Sequence, residues 1–230
     1  MSSTRLPGKV MRDLAGAPMI ERQIERVRRA RRIDELVVAT SVEASDDLLA
    51  RHLDGLGVQV HRGPLPDVLA RFIGALDAFG PAEHLIRLTA DCPLADPGVI
   101  DELAAKHTLD GTDYCAAGGP GRSHPVGLDC EIMRADVLRE AAAEAEDPYE
   151  REHVTPFIYR RPDRYRLARL DSAENHGALR WTVDTPDDFA FAEAVYRALH
   201  PADPAFTSAD VLGFVRSRPD LMTLGGEPRG

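Results

Sequence analysis

Lysine is almost missing from this chain of 230 residues. Of its 28 basic side chains 26 are arginines, and only Lys9 and Lys106 carry an ammonium. Cysteine is scarce too. Cys92, Cys115 and Cys130 are odd in number and widely spaced, which excludes a disulfide scaffold and a four-cysteine zinc site and fits a reducing cytoplasm. No apolar run approaches the roughly 18 residues needed to span a bilayer. The opening MSSTRLPGKVMRDL has no apolar core of a secretory signal. Positive charge is in deficit: 28 basic against 38 acidic residues leave −10, which disfavours a general nucleic-acid or anionic-membrane binder. Several signatures are absent as well. There is no G-x-G-x-x-G, no G-x-S-x-G, no G-x-x-x-x-G-K-[ST], and no His or Cys spacing suited to a metal, so simple dinucleotide-binding, serine-hydrolase and P-loop readings have no support.

What is present is ordinary globular composition, 43% hydrophobic and 29% charged. The length suits one large domain, or one domain with a small appendage. We expect a single domain over 1–222 and a C-terminal tail over 223–230, frayed over Gly225–Gly230. Apolar residues recur at helical spacing over 18–31, 45–56 and 68–76. Short apolar runs at 36–40, 58–61 and 85–89 read as strands, the first of them buried on both faces. A short helix over 96–105 follows. This alternation predicts an α/β fold, a largely parallel sheet with helices on both faces. The Gly- and Pro-rich stretch 118–129 reads as a mobile loop, a lid over a substrate, leading into a strand or hairpin at 128–133. Helices are expected at 135–146, at 148–161 with a break at Pro156, at 186–199 and at 208–216. Further strands are expected at 165–170 and 179–183.

Three places can carry chemistry. The loop Ser2–Lys9 combines small hydroxyl residues, Gly8 and two cations, a composition that can present amides and charge to phosphates; a basic frayed terminus is the plainer explanation. Asp91 follows the strand LIRLTA, at a strand's C-terminal end where open α/β sheets bind ligands. A carboxylate there suits Mg²⁺, which takes one or two carboxylates plus phosphate oxygens. Asp184 stands in the same relation to ALRWTV, and two such acids can meet across one cleft. Either could instead cap the helix that follows. Arg151 and His153 are expected on a solvent-facing helix, whose side chains could also bind an anion. Arg87, on an otherwise apolar strand, calls for an acidic partner.

Taken in order, these segments resemble the cytidylyltransferase-like family that includes spore-coat polysaccharide biosynthesis protein F. The resemblance runs over nearly the whole chain. It rests on Ser3-Thr4-Arg5-Leu6-Pro7-Gly8-Lys9, on Arg62-Gly63 with Asp67-Val68-Leu69 and Arg71-Phe72, and on Arg87 through Leu94 with Asp96-Pro97. It continues through Pro125, Gly127-Leu128-Asp129, Glu131, Arg151-Glu152-His153-Val154-Thr155-Pro156 and Val183-Asp184-Thr185-Pro186 with Asp188. It implies a Rossmann-like nucleotidyltransferase (nucleotide-diphospho-sugar transferase) fold, related to the enzymes that activate sialic acid and Kdo. The implied reaction uses CTP and Mg²⁺, joins CMP to an acceptor oxygen and releases pyrophosphate. Arg5 and Lys9 would hold the triphosphate, with Ser3, Thr4 and Gly8 beside it. Asp91 and Asp184 would hold Mg²⁺, and Arg62 and Asp67 would lie near the nucleotide. Glu131, Arg151, His153 and Arg180 would face a small anionic acceptor, a sugar acid, phosphonate or sugar phosphate. A cytoplasmic homodimer in polysaccharide or secondary-metabolite biosynthesis is also implied, with no nucleic-acid partner and no membrane insertion.

The sequence departs from the family pattern in three ways. A first strand, with a Gln-Ala-Arg-Met-Gly run, is expected before Ser-Thr-Arg and is not in this sequence, as an internal Met chosen as the start would explain. Pro66 stands where an acid is common, and His124 where an aromatic is usual. Two other classes answer to the same residues: a glycosyltransferase using a nucleotide-sugar, and a truncated, non-catalytic nucleotide-binding partner.

Overall fold

The computed structural model describes residues 5–230. After a short 3-10 turn at Lys9–Met11 the elements are α1 (Met19–Val27), β1 (Val37–Ser41), α2 (Asp47–Gly55), β2 (Gln59–Gly63), α3 (Val68–Phe79) and β3 (His84–Arg87). Then follow α4 (Pro97–Asp110), β4 (Tyr114–Ala116), β5 (Glu131–Arg134), α5 (Ala135–Glu144), α6 (Pro148–His153), α7 (Pro156–Tyr159) and β6 (Leu167–Arg169). The chain closes with α8 (Pro186–Leu199), α9 (Ser208–Arg216) and α10 (Pro219–Met222). Pro156 starts α7 rather than kinking one long helix, because a proline suits the first turn, where no amide donor is needed. Thr185 and Thr207 each close a capping box with an acid three residues on, Asp188 and Asp210, which fixes where α8 and α9 begin.

The fold is α/β, but the strands form two sheets. β1 and β2 pair in parallel. The other sheet has the order β3-β5-β4-β6, with β5 antiparallel to both neighbours and β4 parallel to β6. The sheet is therefore mixed, and less parallel than the alternation of elements implied. Among the described residues no strand precedes Val37. β1 is half-buried over Val37, Val38 and Ala39, not buried on both faces, and among the described residues it has a ladder partner along one edge only. The run 179–183 makes a single parallel bridge, Val126 with Arg180, rather than a strand.

The four-stranded sheet divides the core by the period of two along its strands. Cys115 and Ile132 point into the larger cluster, with Trp181, Leu103, Phe191 and Val195 from the helices α4 and α8 and the segment before α8. Tyr114 and Met133, one residue away on the same strands, point into the smaller one, with Leu69, Leu138 and Phe157 from α3, α5 and α7. At the sheet's edge Arg87 meets the acid it requires: it pairs with Glu131, opposite it in the β3–β5 register.

His107 on α4 is 1% exposed. Its ring bonds Thr112 Oγ1 (2.8 Å) through Nδ1 and His84 Nδ1 (3.0 Å) through Nε2. Burial first, and the neighbouring His84 second, hold its pKa below the ordinary 6.5. The unfolded chain then binds the proton more readily, so this contribution is whole above about pH 6.5 and is lost as pH falls through the folded value. His124 and His200 shift in the same direction, each mainly by burial. We expect the thermal midpoint to fall as pH drops below about 6.5, and His107→Gln to flatten part of that slope. A slope unchanged in the variant would sink the assignment.

Candidate active site

The site is built on a loop whose carbonyls are held from several directions. Gln23 of α1 donates to Thr89 O (2.8 Å), Arg26 of α1 to Ala95 O (2.8 Å) and Tyr196 of α8 to Pro93 O (2.7 Å). The Asp91 carbonyl accepts from Val183 N (2.8 Å) and Thr182 Oγ1 (3.2 Å), which fixes the segment carrying Asp184 beside the segment carrying Asp91. Each backbone acceptor tied in this way costs the loop freedom and gives its side chains a set direction.

Asp91 is oriented by Thr89, whose hydroxyl donates to Oδ1 (2.6 Å), and its Oδ2 faces Lys9 Nζ (3.4 Å). Lys9 also donates to Asp184 Oδ1 (2.9 Å) and to Val183 O (2.6 Å). Two carboxylates from separate segments thus converge on one ammonium that is only 11% exposed. Gly8, which precedes the Lys9 turn, has a φ of +68°, a left-handed conformation that suits glycine. Asp184 Oδ2 accepts from Arg180 Nη2 (2.9 Å) and faces the exposed Arg5 (3.2 Å). Burial alone would raise the Asp184 pKa. The hydrogen bonds from Lys9 and Arg180 and the charges of Lys9 and Arg5 outweigh it and hold the group below its ordinary value, so it is ionised at neutral pH.

Behind this pair lies Asp188, 1% exposed at the start of α8. Arg180 forks onto it through Nε (3.2 Å) and Nη2 (3.1 Å), Arg229 reaches it through Nη2 (2.8 Å), and the amides of Asp184 and Thr185 donate to it (2.9 Å each). Burial opposes its charge, and these donors together overcome that and hold its pKa far below the ordinary range.

Arg5, Lys9, Asp91, Asp184 and Arg180 therefore form one cluster, with Gly8 beside it. Arg180 stands among the carboxylates rather than with Glu131, Arg151 and His153. The other candidate residues make contacts elsewhere. Arg62 donates to Ser41 O and Glu43 O and pairs with Asp47 (2.7 Å) at the corner between β1 and α2. Asp67 caps α3 and pairs with Arg151 (2.7 Å), which also closes the end of α5 through Ala142 O and Ala145 O. Glu131 accepts from Arg87, Tyr114 and Thr155. His153 ends α6 with its ring 4.2 Å from that of Tyr149. Ser3 and Thr4 lie outside the described residues.

Two sequence expectations fail here. Within the stretch 118–129, residues 122–129 are tied down rather than loose. Arg122 forks onto Asp129 (2.6 and 2.8 Å), Gly127 N donates to Asp129 (2.9 Å), Ser123 bonds Ser172 and Asp171, and His176 N donates to Ser123 O. Half of the stretch is buried, and only Gly119, Pro120 and Gly121 are exposed. Gly118 and Gly127 serve tight packing, each with no room for a side chain. The tail is not frayed either. Arg229 is 1% exposed, and Trp181 Nε1 donates to its carbonyl (2.7 Å). Asp188 and Arg229 are the charged groups that sequence reasoning missed at the site. Asp188 reads as an ordinary first-turn acid, and a lone Arg among Gly and Pro carries no local signal.

Which metal would such a site take? Among the described residues no three His, Cys, Asp or Glu side chains gather as a full ligand set. Two carboxylates around one cation, with open coordination left for phosphate oxygens, fit a hard divalent ion bound together with a nucleotide. Lys9 Nζ shows that a cation is accommodated between them.

The cytidylyltransferase family model matches residues 1–203, and the chain belongs to that family. It is 33% identical over 97% of its length, and 93% of the relative's, to the spore coat polysaccharide biosynthesis protein SpsF of Bacillus subtilis. A solved cytidylyltransferase from Leptospira borgpetersenii superposes at a TM-score of 0.89, with 24% identity over 96% of this chain and 92% of that one. A CMP:2-keto-3-deoxy-manno-octonic acid synthetase complexed with CTP has the same fold, at a TM-score of 0.61 and 20% identity over 85% of this chain and 94% of that one. No helix among the described residues is long and apolar enough to cross a membrane.

Proposed function

We propose that this chain transfers CMP from CTP to an oxygen of a small anionic acceptor, a sugar acid, phosphonate or sugar phosphate, and releases pyrophosphate. The observation that carries the reading is the convergence of Asp91 and Asp184 on a single cation. The matched family supports cytidylyl transfer, and the Bacillus subtilis relative's name supports a place in polysaccharide biosynthesis.

The acceptor oxygen attacks the α-phosphorus. The bond from that phosphorus to the bridging oxygen breaks, the acceptor's proton leaves to solvent, and pyrophosphate departs. Asp91 and Asp184 would hold Mg²⁺, which when bound neutralises charge on the phosphates. Asp184, kept ionised by Lys9 and Arg180, is ready for that role at neutral pH. Thr89 keeps Asp91 pointed at the same place. Lys9 and the exposed Arg5 meet the triphosphate, and their charge is best used on the departing pyrophosphate. The protein contributes alignment and charge rather than covalent chemistry.

The test is pyrophosphate release with Mg²⁺, each of the four nucleoside triphosphates in turn, and pools of sugar acids, phosphonates and sugar phosphates. Release with CTP and one pool is expected. A nucleoside diphosphate released from a nucleotide-sugar would overturn the reading in favour of sugar transfer.

A further inference from the structure

Arg229 lies beyond the stretch matched by the family model, yet it is among the most buried charged residues of the chain. All of its guanidinium nitrogens are used. Nε donates to Leu224 O (3.1 Å), Nη1 to Arg180 O (2.9 Å) and Nη2 to Asp188 Oδ1 (2.8 Å), and the guanidinium carbon lies 4.9 Å from the centre of the Phe191 ring. Its backbone is tied as well: its amide donates to Met222 O (2.7 Å), and the neighbouring Pro228 carbonyl accepts from Arg180 N (2.8 Å).

Three carboxylates are linked through two cations: Lys9 pairs with Asp91 and Asp184, and Arg180 is shared between Asp184 and Asp188. Its Nη2 lies 3.1 Å from Asp188 Oδ2 and 2.9 Å from Asp184 Oδ2. A buried carboxylate draws a lone guanidinium more strongly than a part-exposed one, because it has no water to fall back on. Asp188 is the buried member, at 1% side-chain exposure against 19% for Asp184. A second cation on Asp188 is what lets Arg180 divide itself.

We propose that Arg229 is a positioning residue for Asp184: by neutralising Asp188 from the tail side it leaves Arg180 to hold Asp184 Oδ2, so that Oδ1 stays turned toward the cation position beside Asp91. The inference rests on the proposed metal role of Asp184. Partners that orient a metal-binding carboxylate typically affect metal affinity by 10–100-fold when removed.

The experiment is a Mn²⁺ titration of the full chain, followed by water-proton relaxation, together with the thermal midpoint of each variant. Asp184→Asn identifies the binding that belongs to this site. Arg229→Ala is expected to weaken that binding by about tenfold, and Arg229→Lys, which keeps the charge, to recover most of it. Leu221→Ala, which thins the packing of α10 without touching a charge, should lower the midpoint and leave Mn²⁺ binding alone. Should Arg229→Ala not fold, Arg229→Gln removes the charge at similar length and carries the same expectation. Unchanged Mn²⁺ binding in the Arg229 variants, with only a lower midpoint, overturns the positioning role and leaves the proposed function standing. Mn²⁺ binding insensitive to Asp184→Asn overturns both.

Discussion

Asp184→Asn is expected to slow pyrophosphate release from CTP by roughly a thousandfold, with the far-UV circular dichroism unchanged. The size follows from the role. A metal on the transferring phosphates supplies several kcal/mol of charge stabilisation, and about 4 kcal/mol is a factor of roughly a thousand in rate. Asn keeps the shape and can still accept from Arg180, so the loss reports charge at one position. The fold should tolerate the change, because Asp188, not Asp184, holds Arg180 through two bonds and accepts both neighbouring amides. Near-normal release from the variant would remove Asp184 from the metal role.

Gly127→Ala should be the most destabilising single change outside the hydrophobic core. Gly127 has a φ of +105°, and a Cβ there would lie 2.5 Å from Thr182 N and 2.7 Å from the Trp181 carbonyl carbon. Both are backbone atoms in the run to Asp184. They cannot step aside without breaking the bonds of Val126 to Leu179 and Trp181 (2.8 and 2.7 Å). Overpacking and a left-handed alanine together cost roughly 3–5 kcal/mol, a fall in Tm on the order of 10 °C. Gly55→Ala is the control: nothing lies within 4 Å of its Cβ position, and its midpoint should move little. Equal midpoints for the two variants would refute the argument.

Much of this was legible in the chain itself. The helices α8 and α9 fall on residues 186–199 and 208–216 because Thr185-Pro186 and Thr207 with Asp210 are local signals that tertiary contacts did not override. Lys9, Asp91 and Asp184 were legible as candidates because each sits beside a short apolar run or a glycine. Other features depend on distance. β4 at Tyr114–Ala116 is three residues long and has no pattern of its own; its neighbours β5 and β6 define it. The pairing of Asp67 with Arg151 spans 84 positions, and that of Asp188 with Arg229 spans 41. No periodicity encodes such contacts. The loop at 118–129 misled for a chemical reason: glycine reads as freedom in sequence, whereas at Gly118 and Gly127 the missing side chain admits a neighbour. A Cβ on Gly118 would lie 2.1 Å from Asp129 Oδ1.

The capping box of α8 has a bearing on how negative charge can be received. A helix start is ordinarily an attractive seat for a phosphate, since its free amides and the positive end of its dipole point outward. In α8 that seat is taken. Asp188 has folded back onto the amides of Asp184 and Thr185, and Thr185 accepts from the amide of Asp188. The helix has supplied its own anion. Under the proposed function a triphosphate would meet side-chain cations of the carboxylate cluster instead, Lys9 and the exposed Arg5, and so its hold on the protein should weaken with added salt more steeply than a seat made of backbone amides would.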